Sequence, residues 1–301
     1  RILWQSTFRN KLRASPGALS PQMKSVLLKS GLSSALEEVN PLEIHDQLVR
    51  ITRMGEGGMP GADSIPDESR DLQSSHLALI DPVKGPESMS IGVDGRATHH
   101  TYKGKDGKFY AQLTNAKTGK RMMVSAQDMT KSIVAFPGEL ARKGNQVRAM
   151  IRGRRLGYVA RNEVDYEVPH ASHMFSAGSN LVPMVSAIKG GRLLMGSKYA
   201  SQSLPLREAE APLVQSEYDD GSGRSFEQLY GTRAGAVRAQ GRGIVEAVSK
   251  DEIRVRYQDG TIVKHPLYNM QPYNRKTVLH NTPVVAVGDK VGPDSLLAKS
   301  N

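Results

Sequence analysis

A mixed α+β fold, rich in strands, is predicted for this chain by three observations. Near the N-terminal end, Ser20-Pro21 and Asn40-Pro41-Leu42-Glu43 carry helix-start chemistry. Further on, three stretches, Thr101 to Met123, Gln146 to Val159 and Ile244 to Lys264, set β-branched and aromatic residues between Gly, Lys and Asp turns. Aromatic residues make up only 5% of 301 residues. One large aromatic core is therefore not expected, and the length suits two or three modules of ~100–200 residues.

In chain order, Arg1 to Ser15 combines Arg1, Arg9, Lys11 and Arg13 with Trp4 and Phe8, a basic strand or helix cut from its context. Ser20 is the expected N-cap of a helix whose apolar face is Met23, Val26, Leu27 and Leu28, ending at Gly31. In the next helix Asn40 caps, Pro41 opens and Glu43 takes the capping-box position. That helix is expected to carry Leu42, Leu48, Val49 and Thr52 before Gly55 to Gly58 stop it. Met54 to Asp67 holds four glycines and two prolines, so it is a loop, either a close approach to a ligand or a plain surface linker.

Strands are expected through Leu77, Leu79, Ile80 and Val83, and again at Ile91 and Val93. The two hairpins that follow place a small antiparallel β domain over residues 84–165. Phe175 to Val185 reads as a helix entering a core, and Gly190-Gly191 as a turn exposing Arg192. Beyond it Arg192, Lys198 and Gln202 can point one way, two cations for phosphate and an amide for a sugar or base edge. The competing reading is a core helix followed by a solvated basic turn. Glu217 to Gly223 is expected as a solvated turn; its Asp219-Asp220-Gly221 lacks an alternating-aspartate pattern. Ile244 to Lys264 is a hairpin with an Asp259-Gly260 turn, and Val284 to Val291 a further β unit.

The formal net charge of +11 points to a polyanionic partner, nucleic acid first. The absence of cysteine excludes disulfides and cysteine-held zinc, and fits a reducing compartment. No apolar run approaches the ~20 residues that span a bilayer, so no membrane partner is expected. Residues 1–36 hold six Lys/Arg and no acidic residue, superficially like a transit peptide. The start at Arg1 rather than Met reads instead as a piece of a longer polypeptide. His99-His100 and His170 with His173 lack a completing carboxylate or Cys, so they are expected to be ordinary loop histidines. Gly119-Lys120 is followed by Arg121, which is no phosphate loop. No Ser-His-Asp order is present, and no carboxylate cluster that would hold two Mg²⁺ for nucleotidyl transfer.

One run gathers these features: Gly191-Arg192-Leu193-Leu194-Met195-Gly196-Ser197-Lys198, continuing to Gln202 and Pro205. Phe175 to Met184 precedes it and Glu210 to Val214 follows. It resembles the start of the hybrid-binding region in the β subunit of multisubunit DNA-dependent RNA polymerases. Asn40-Pro41-Leu42, Met54 to Met59, Arg70-Asp71, Ser75-His76, Pro86-Glu87 with Ile91-Gly92, Glu163 to Tyr166 and Asn281 to Val285 resemble the same family. The match is collinear from about Ser20 onward, and separated motifs in one order are more specific than any one alone.

The resemblance implies a helical fork and rifampicin-pocket-like region over residues 1–83, an external antiparallel β domain over 84–165, and the start of a β-barrel-like hybrid-binding domain over 166–301. It implies catalytic-side roles for Arg192 at the incoming nucleotide or RNA end, Gln202 on the RNA side and Glu87 in the loop near the active centre. Arg50, Lys198, Arg53 and Ser90 fall on the nucleic-acid side. Ser34, Glu37, Gln47, Arg50 and Thr52 match the rifamycin pocket, where Gln, Asp, His, Arg and Ser are usual. Mg²⁺ would be held by aspartates of a partner β′-like subunit. The other implied partners are further polymerase chains, template DNA, RNA, nucleoside triphosphates and a sigma-like factor. The implied location is cytoplasmic at the nucleoid, or the virion for a phage enzyme.

Some positions depart from the pattern. The loop usually written Glu-Thr-Pro-Glu-Gly-Pro-Asn is Lys84 to Ser90 here, Lys198 replaces an Asn, and Leu48 and Val49 replace basic residues. Such divergence suggests a large-phage or otherwise rapidly diverging polymerase. The sequence ends before the family's later catalytic lysines, as a middle portion would. The alternative class is a non-catalytic basic β-rich nucleic-acid-binding module derived from that fold. Retention of Arg192, Gln202 and Glu87 favours the enzyme subunit, since a binding module needs bulk charge more than these positions.

Overall fold

Helix α1 (Ser20–Leu28) begins one residue earlier than a Ser20 cap would allow: Ser20 is its first residue, and no side chain caps it. Among the described residues its apolar face is left uncovered, with Met23, Val26, Leu27 and Leu28 all exposed. These coordinates are a computed structural model that describes residues 17, 19–30, 33–55, 57–153, 155–219 and 223–301. The expectations for Arg1 to Ser15, Gly31, Glu56 and Asp220-Gly221 lie outside the described residues.

Helix α2 (Pro41–Leu48) is capped as its sequence requires, Asn40 Oδ1 accepting from the Glu43 N–H at 2.8 Å. It does not run on to Thr52. Arg50–Thr52 is strand β1, paired antiparallel with β2 (Asp94–Arg96). The β-branched Val49, Ile51 and Thr52 favour that extended path over another helical turn. After the short helix α3 (Asp67–Arg70) the expected strands do not form. Residues 74–76 make a 3₁₀ turn, Ala78 takes a φ of 57°, and Ile80 makes a single bridge to Ala97. Leu77 and Leu79 are instead held by local turns and buried beneath the next sheet.

That sheet has seven strands: β3 (Tyr102–Lys103), β4 (Phe109–Asn115), β5 (Arg121–Ser125), β6 (Val134–Ala135), β7 (Gln146–Ile151), β8 (Arg155–Ala160) and β9 (Tyr166–Glu167). Helix α4 (Ala126–Lys131), capped by Ser125, lies between β5 and β6. Both expected hairpins are present, in register Leu113↔Met122 and Val147↔Val159. The sheet is not wholly antiparallel, because β6 and β9 run parallel, and β9 lies beyond residue 165. Ala111, Leu113, Val124, Met129, Val134, Met150 and Val168 form its core with Leu77 and Leu79.

Two expectations for the helical middle are corrected. The helix foreseen over Phe175 to Val185 is only α5 (Ala177–Asn180). Gly190 and Gly191 are not a turn but the first residues of α6 (Gly190–Gln202). After α7 (Phe226–Arg233) come β10 (Val237–Arg238), β11 (Gly243–Val248), β12 (Glu252–Tyr257), β13 (Ile262–Pro266), β14 (Gln271–Tyr273), β15 (Thr277–Leu279), β16 (Asn281–Pro283), β17 (Lys290–Val291) and β18 (Leu296–Ser300). The Ile244 to Lys264 hairpin is β11–β13, whereas residues 284–287 are not a strand. The orders are β13-β12-β11-β17, β10-β18-β16 and β14-β15. Among the described residues no sheet closes on itself, so the barrel-like expectation for residues 166–301 is overturned. Closure needs an unbroken ladder with matched tilt and stagger. Here β10 and β17 are two residues each and leave two open sheets over one core containing Val245, Ile253, Val255, Val291 and Leu297.

Asp219 and the histidines are neither solvated nor isolated. His173 is fully buried, stacked on His100 with centroids 3.7 Å apart, and His99 meets Phe226 edge-on at 4.9 Å. Asp219 Oδ2 lies 3.1 Å from His173 Nε2 and 2.8 Å from Arg121 Nη2 on β5. Burial, and then the charge of His100, push His173 down to about 4 against the opposing pull of Asp219. For Asp219, burial pushes the carboxyl up, but the Arg121 guanidinium outweighs it and holds the group below the usual range.

A second buried polar contact joins α2 to α6. Lys84 Nζ lies 2.9 Å from Asp46 Oδ2, with side chains 9% and 0% exposed. The ammonium also donates to Ser197 O at 2.8 Å and Ser201 Oγ at 2.9 Å, and the Ser201 hydroxyl donates to Asp46 Oδ2 at 2.9 Å. A Cβ at position 178 would come within 3.1 Å of both Asp46 Oδ2 and Lys84 Nζ, so Gly178 admits the pair. Asn40 Nδ2 donates to Ala200 O and Ser203 O, closing the end of α6 with the residue that opens α2.

Two outcomes follow from these contacts. Truncating Lys84→Met strands a buried carboxylate and should cost about 3–5 kcal/mol in urea unfolding. The double variant Asp46→Asn/Lys84→Met should recover part of that loss, because a neutral amide is cheaper to bury. His173 binds its proton less readily folded than unfolded, so stability is full above about pH 6.5 and falls as pH drops toward 4. Urea midpoints measured between pH 7.5 and 5 should decline for the wild type and decline less for His173→Gln.

Candidate nucleic-acid interface

Asp81 builds the loop that faces α6. Its Oδ1 accepts from the N–H groups of Val83 at 2.8 Å and Lys84 at 3.0 Å, while Oδ2 accepts from Ser176 N–H at 2.8 Å. The loop thus turns back toward α5, sends Lys84 into the core and leaves Glu87 at the surface. Between this loop, β1, β2 and α6 lies a cleft of about 570 Å³. Its walls include Glu37, Glu43, Arg50, Lys84, Glu87, Asp94, Arg96, Lys198, Ser201 and Gln202.

Four cations and four carboxylates line the cleft, so it is not a uniformly basic pocket. Much of that charge is already paired. Arg50 Nη2 lies 3.0 Å from Asp94 Oδ2, and Lys198 Nζ lies 3.7 Å from Glu87 Oε2. The Arg50, Lys198 and Glu87 side chains are 44–49% exposed. The Lys198–Glu87 pair is worth little in water, so Lys198 can turn to a phosphate at small cost, whereas Asp94, only 10% exposed, holds Arg50 more firmly. Arg96 is the residue that sequence reasoning missed. It stands opposite Arg50 in the β1–β2 register, its Nη1 donates only to Gly95 O, and its buried Nε has no hydrogen-bond partner among the described residues. An Arg in a three-residue strand carries no sequence signal; only strand pairing brings it here.

The structure gathers Glu37, Arg50, Glu87, Lys198 and Gln202, of those singled out by sequence, on this one cleft. It does not bring Arg192 there. On α6, at about 100° per residue, the buried face is Leu193, Ser197 and Ser201. Arg192, Met195 and Tyr199 form the opposite stripe, and Lys198 and Gln202 are rotated toward the cleft. The Arg192 guanidinium reaches Met195 Sδ at 3.5 Å. Arg53 lies beyond the loop, in a second cleft of about 300 Å³, donating to Ser69 O and lying 3.3 Å from His76 Nε2. Ser90 accepts from the N–H groups of Val93 and Asp94 through its carbonyl.

The segment matched to the drug pocket is closed on itself. Gln47 accepts from Glu37 N–H at 2.9 Å and donates to Glu37 O at 3.2 Å, Thr52 Oγ1 accepts from Met54 N–H at 3.1 Å, and Ser34 is exposed. Among the described residues no group of three or more His, Asp or Glu is placed to hold a metal ion. Nor is any described helix long and apolar enough to cross a membrane.

No family model matches the chain. Curated relatives do. A DNA-directed RNA polymerase subunit beta of Bifidobacterium longum is 29% identical over 281 residues, covering 89% of this chain and 23% of that protein. The subunit beta of Thermus thermophilus is 27% identical over 288 residues, covering 93% of this chain and 25% of that protein. That of Caulobacter sp. is 26% identical over 301 residues, covering 95% and 21%. The chain thus spans about a quarter of the length of these relatives. Similarity of this extent across nearly the whole chain makes it a homologue of part of the RNA polymerase β subunit.

Proposed function

We propose that this chain is the segment of a DNA-directed RNA polymerase β subunit that positions nucleotide, RNA end and template for nucleotidyl transfer. The observation that carries the reading is the single cleft in which Arg50, Glu87, Lys198 and Gln202 meet, from segments far apart in sequence. Arg50, Lys198 and Arg96 face phosphate, and Gln202 offers a donor and an acceptor to a ribose or base edge. Glu87 holds Lys198 until nucleic acid replaces it. Arg192 serves from the adjoining stripe, toward the nucleotide or RNA end. Ser90 and Arg53 act from the far side of the loop, along the nucleic-acid path.

The cleft carboxylates do not fit a metal site. Asp94 and Glu87 are taken by Arg50 and Lys198, and no described cluster could hold an ion. In this reading Mg²⁺ is carried by aspartates of a β′-like partner, and this chain supplies positive charge and position. Sequence divergence from the bacterial relatives supports a phage or fast-evolving source.

The purified chain alone should therefore show no Mg²⁺-dependent RNA synthesis. In its native source it should copurify with a chain bearing an alternating-aspartate loop, and that complex should transcribe. RNA synthesis by the isolated chain would overturn this reading, and isolation without such a partner would favour the non-catalytic binding module instead.

The assembled enzyme should also resist rifamycins. Ser34 is shorter than the Gln it replaces, and Gln47 is committed to the Glu37 backbone. Glu37 and Thr52 each add a carbon to the residue they replace. Each lost hydrogen bond costs ~0.5–1.5 kcal/mol, which sums to roughly two to four decades of affinity at ~1.4 kcal/mol each. Transcription should continue at drug levels that stop a sensitive bacterial polymerase, and equal inhibition would show the pocket match to be wrong.

A further inference from the structure

Strand β8 is an edge strand of the seven-stranded sheet, and among the described residues nothing pairs with its far side. Arg161 N–H donates to Asn145 O at 2.8 Å, which fixes the phase of the β7–β8 ladder. Val159, Gly157 and Arg155 then exchange bonds with β7, and the N–H and C=O groups of Leu156 and Tyr158 point outward. The open row ends at Ala160, whose N–H donates to Glu163 Oε2 at 3.3 Å. The same two residues carry apolar side chains into solvent: Leu156 is 58% exposed and Tyr158 70%. Two residues apart on a strand, they share one face. An open edge with apolar side chains is a template for a further strand.

The charge around the edge selects what that strand carries. From Leu140 to Arg161 there are seven Lys/Arg and no Asp or Glu. Arg142, Lys143, Arg148 and Arg152 are exposed. The glutamates on either side are committed: Glu139, 4% exposed, lies beside Arg142 and Arg148, and Glu163 accepts from Ala160. A second copy of this chain would set these cations against one another, so charge guards the edge against self-pairing. A nucleic acid would meet the cations but leave the outward amides and the apolar pair without partners. An extended acidic peptide with alternate apolar residues satisfies all three. We infer that β8 takes up such a segment of a partner protein as a further strand, its backbone bonded to Leu156 and Tyr158 and its apolar side chains resting on theirs. This surface lies outside the cleft, and the inference does not depend on the nucleic-acid reading.

The probe is a short fluorescein-labelled peptide alternating Glu with Val, titrated against the full chain by anisotropy. It should bind, and amide hydrogen exchange at Leu156 and Tyr158 should slow in the complex. The same peptide with its β8-facing amides N-methylated should bind roughly tenfold more weakly, because it can no longer donate to the edge. Leu156→Glu/Tyr158→Glu should weaken binding by roughly tenfold or more. Both side chains are exposed, so this variant should keep the wild-type thermal midpoint. Arg152→Glu should weaken binding by a few-fold and flatten its salt dependence. Equal affinity for the methylated and unmethylated peptides, or no binding at millimolar concentration, would overturn the inference. So would self-association of the chain that Leu156→Glu/Tyr158→Glu abolishes, which would assign the edge to a second copy. Displacement of the peptide by oligo(dT), with full peptide affinity in the double variant, would assign the patch to nucleic acid and overturn it as well.

Discussion

The buried contact between Asp46 and Lys84 is the constraint on which the candidate site depends. It joins the middle of α2, the start of the Lys84 to Ser90 loop and the inner face of α6 at one point. Each of these carries a wall of the cleft. A buried ion pair adds little net stability over an apolar pair of the same shape, but losing one partner is costly. Its effect is to make a single arrangement of these segments acceptable. Ser201 completes the geometry by accepting from the ammonium and donating to the carboxylate. Gly178 leaves room for it.

This contact also accounts for the departure of the loop from the pattern it resembles. Lys84 stands where the resembling loops carry Glu, and a lysine 9% exposed needs an acidic partner and acceptors. Asp46, Ser197 O and Ser201 Oγ supply them. The surface pairs follow a different logic. Lys198–Glu87 lies in water and costs little to exchange, while Arg50–Asp94 pairs a half-exposed guanidinium with a carboxylate only 10% exposed. Rigid support beneath and exchangeable charge above is the arrangement expected of a surface that holds a polyanion and releases it.

The second polar cluster, around His173, ties β5 to the segment before α7. Two stacked imidazoles and Asp219 in the grip of Arg121 connect these parts of the chain. In the sequence these residues are four separate short motifs, none with ligand spacing. Tertiary packing turns them into a unit, and burial, with the neighbouring His100, lowers the proton affinity of His173.

Local chemistry determined what was readable without coordinates. Asn40-Pro41 fixed the start of α2 because a side-chain oxygen and a ring-locked φ act within four residues. The hairpins at Thr101 to Met123, Gln146 to Val159 and Ile244 to Lys264 were legible because period-two burial and turn residues are also local. Collinear motifs pointed to the polymerase β family for the same reason. Tertiary structure alone decided the rest. Val49 to Thr52 left the helix because β2 offered a pairing edge. Leu77 and Leu79 were buried as turns rather than strands because Ala78 takes a positive φ. Two open sheets replaced the expected barrel because β10 and β17 are too short to close a ladder. The cleft itself required Arg50, Arg96, Glu87 and Lys198 to meet across more than a hundred residues of chain. That meeting depends on which buried groups can satisfy one another, and no window of sequence contains both members of such a pair.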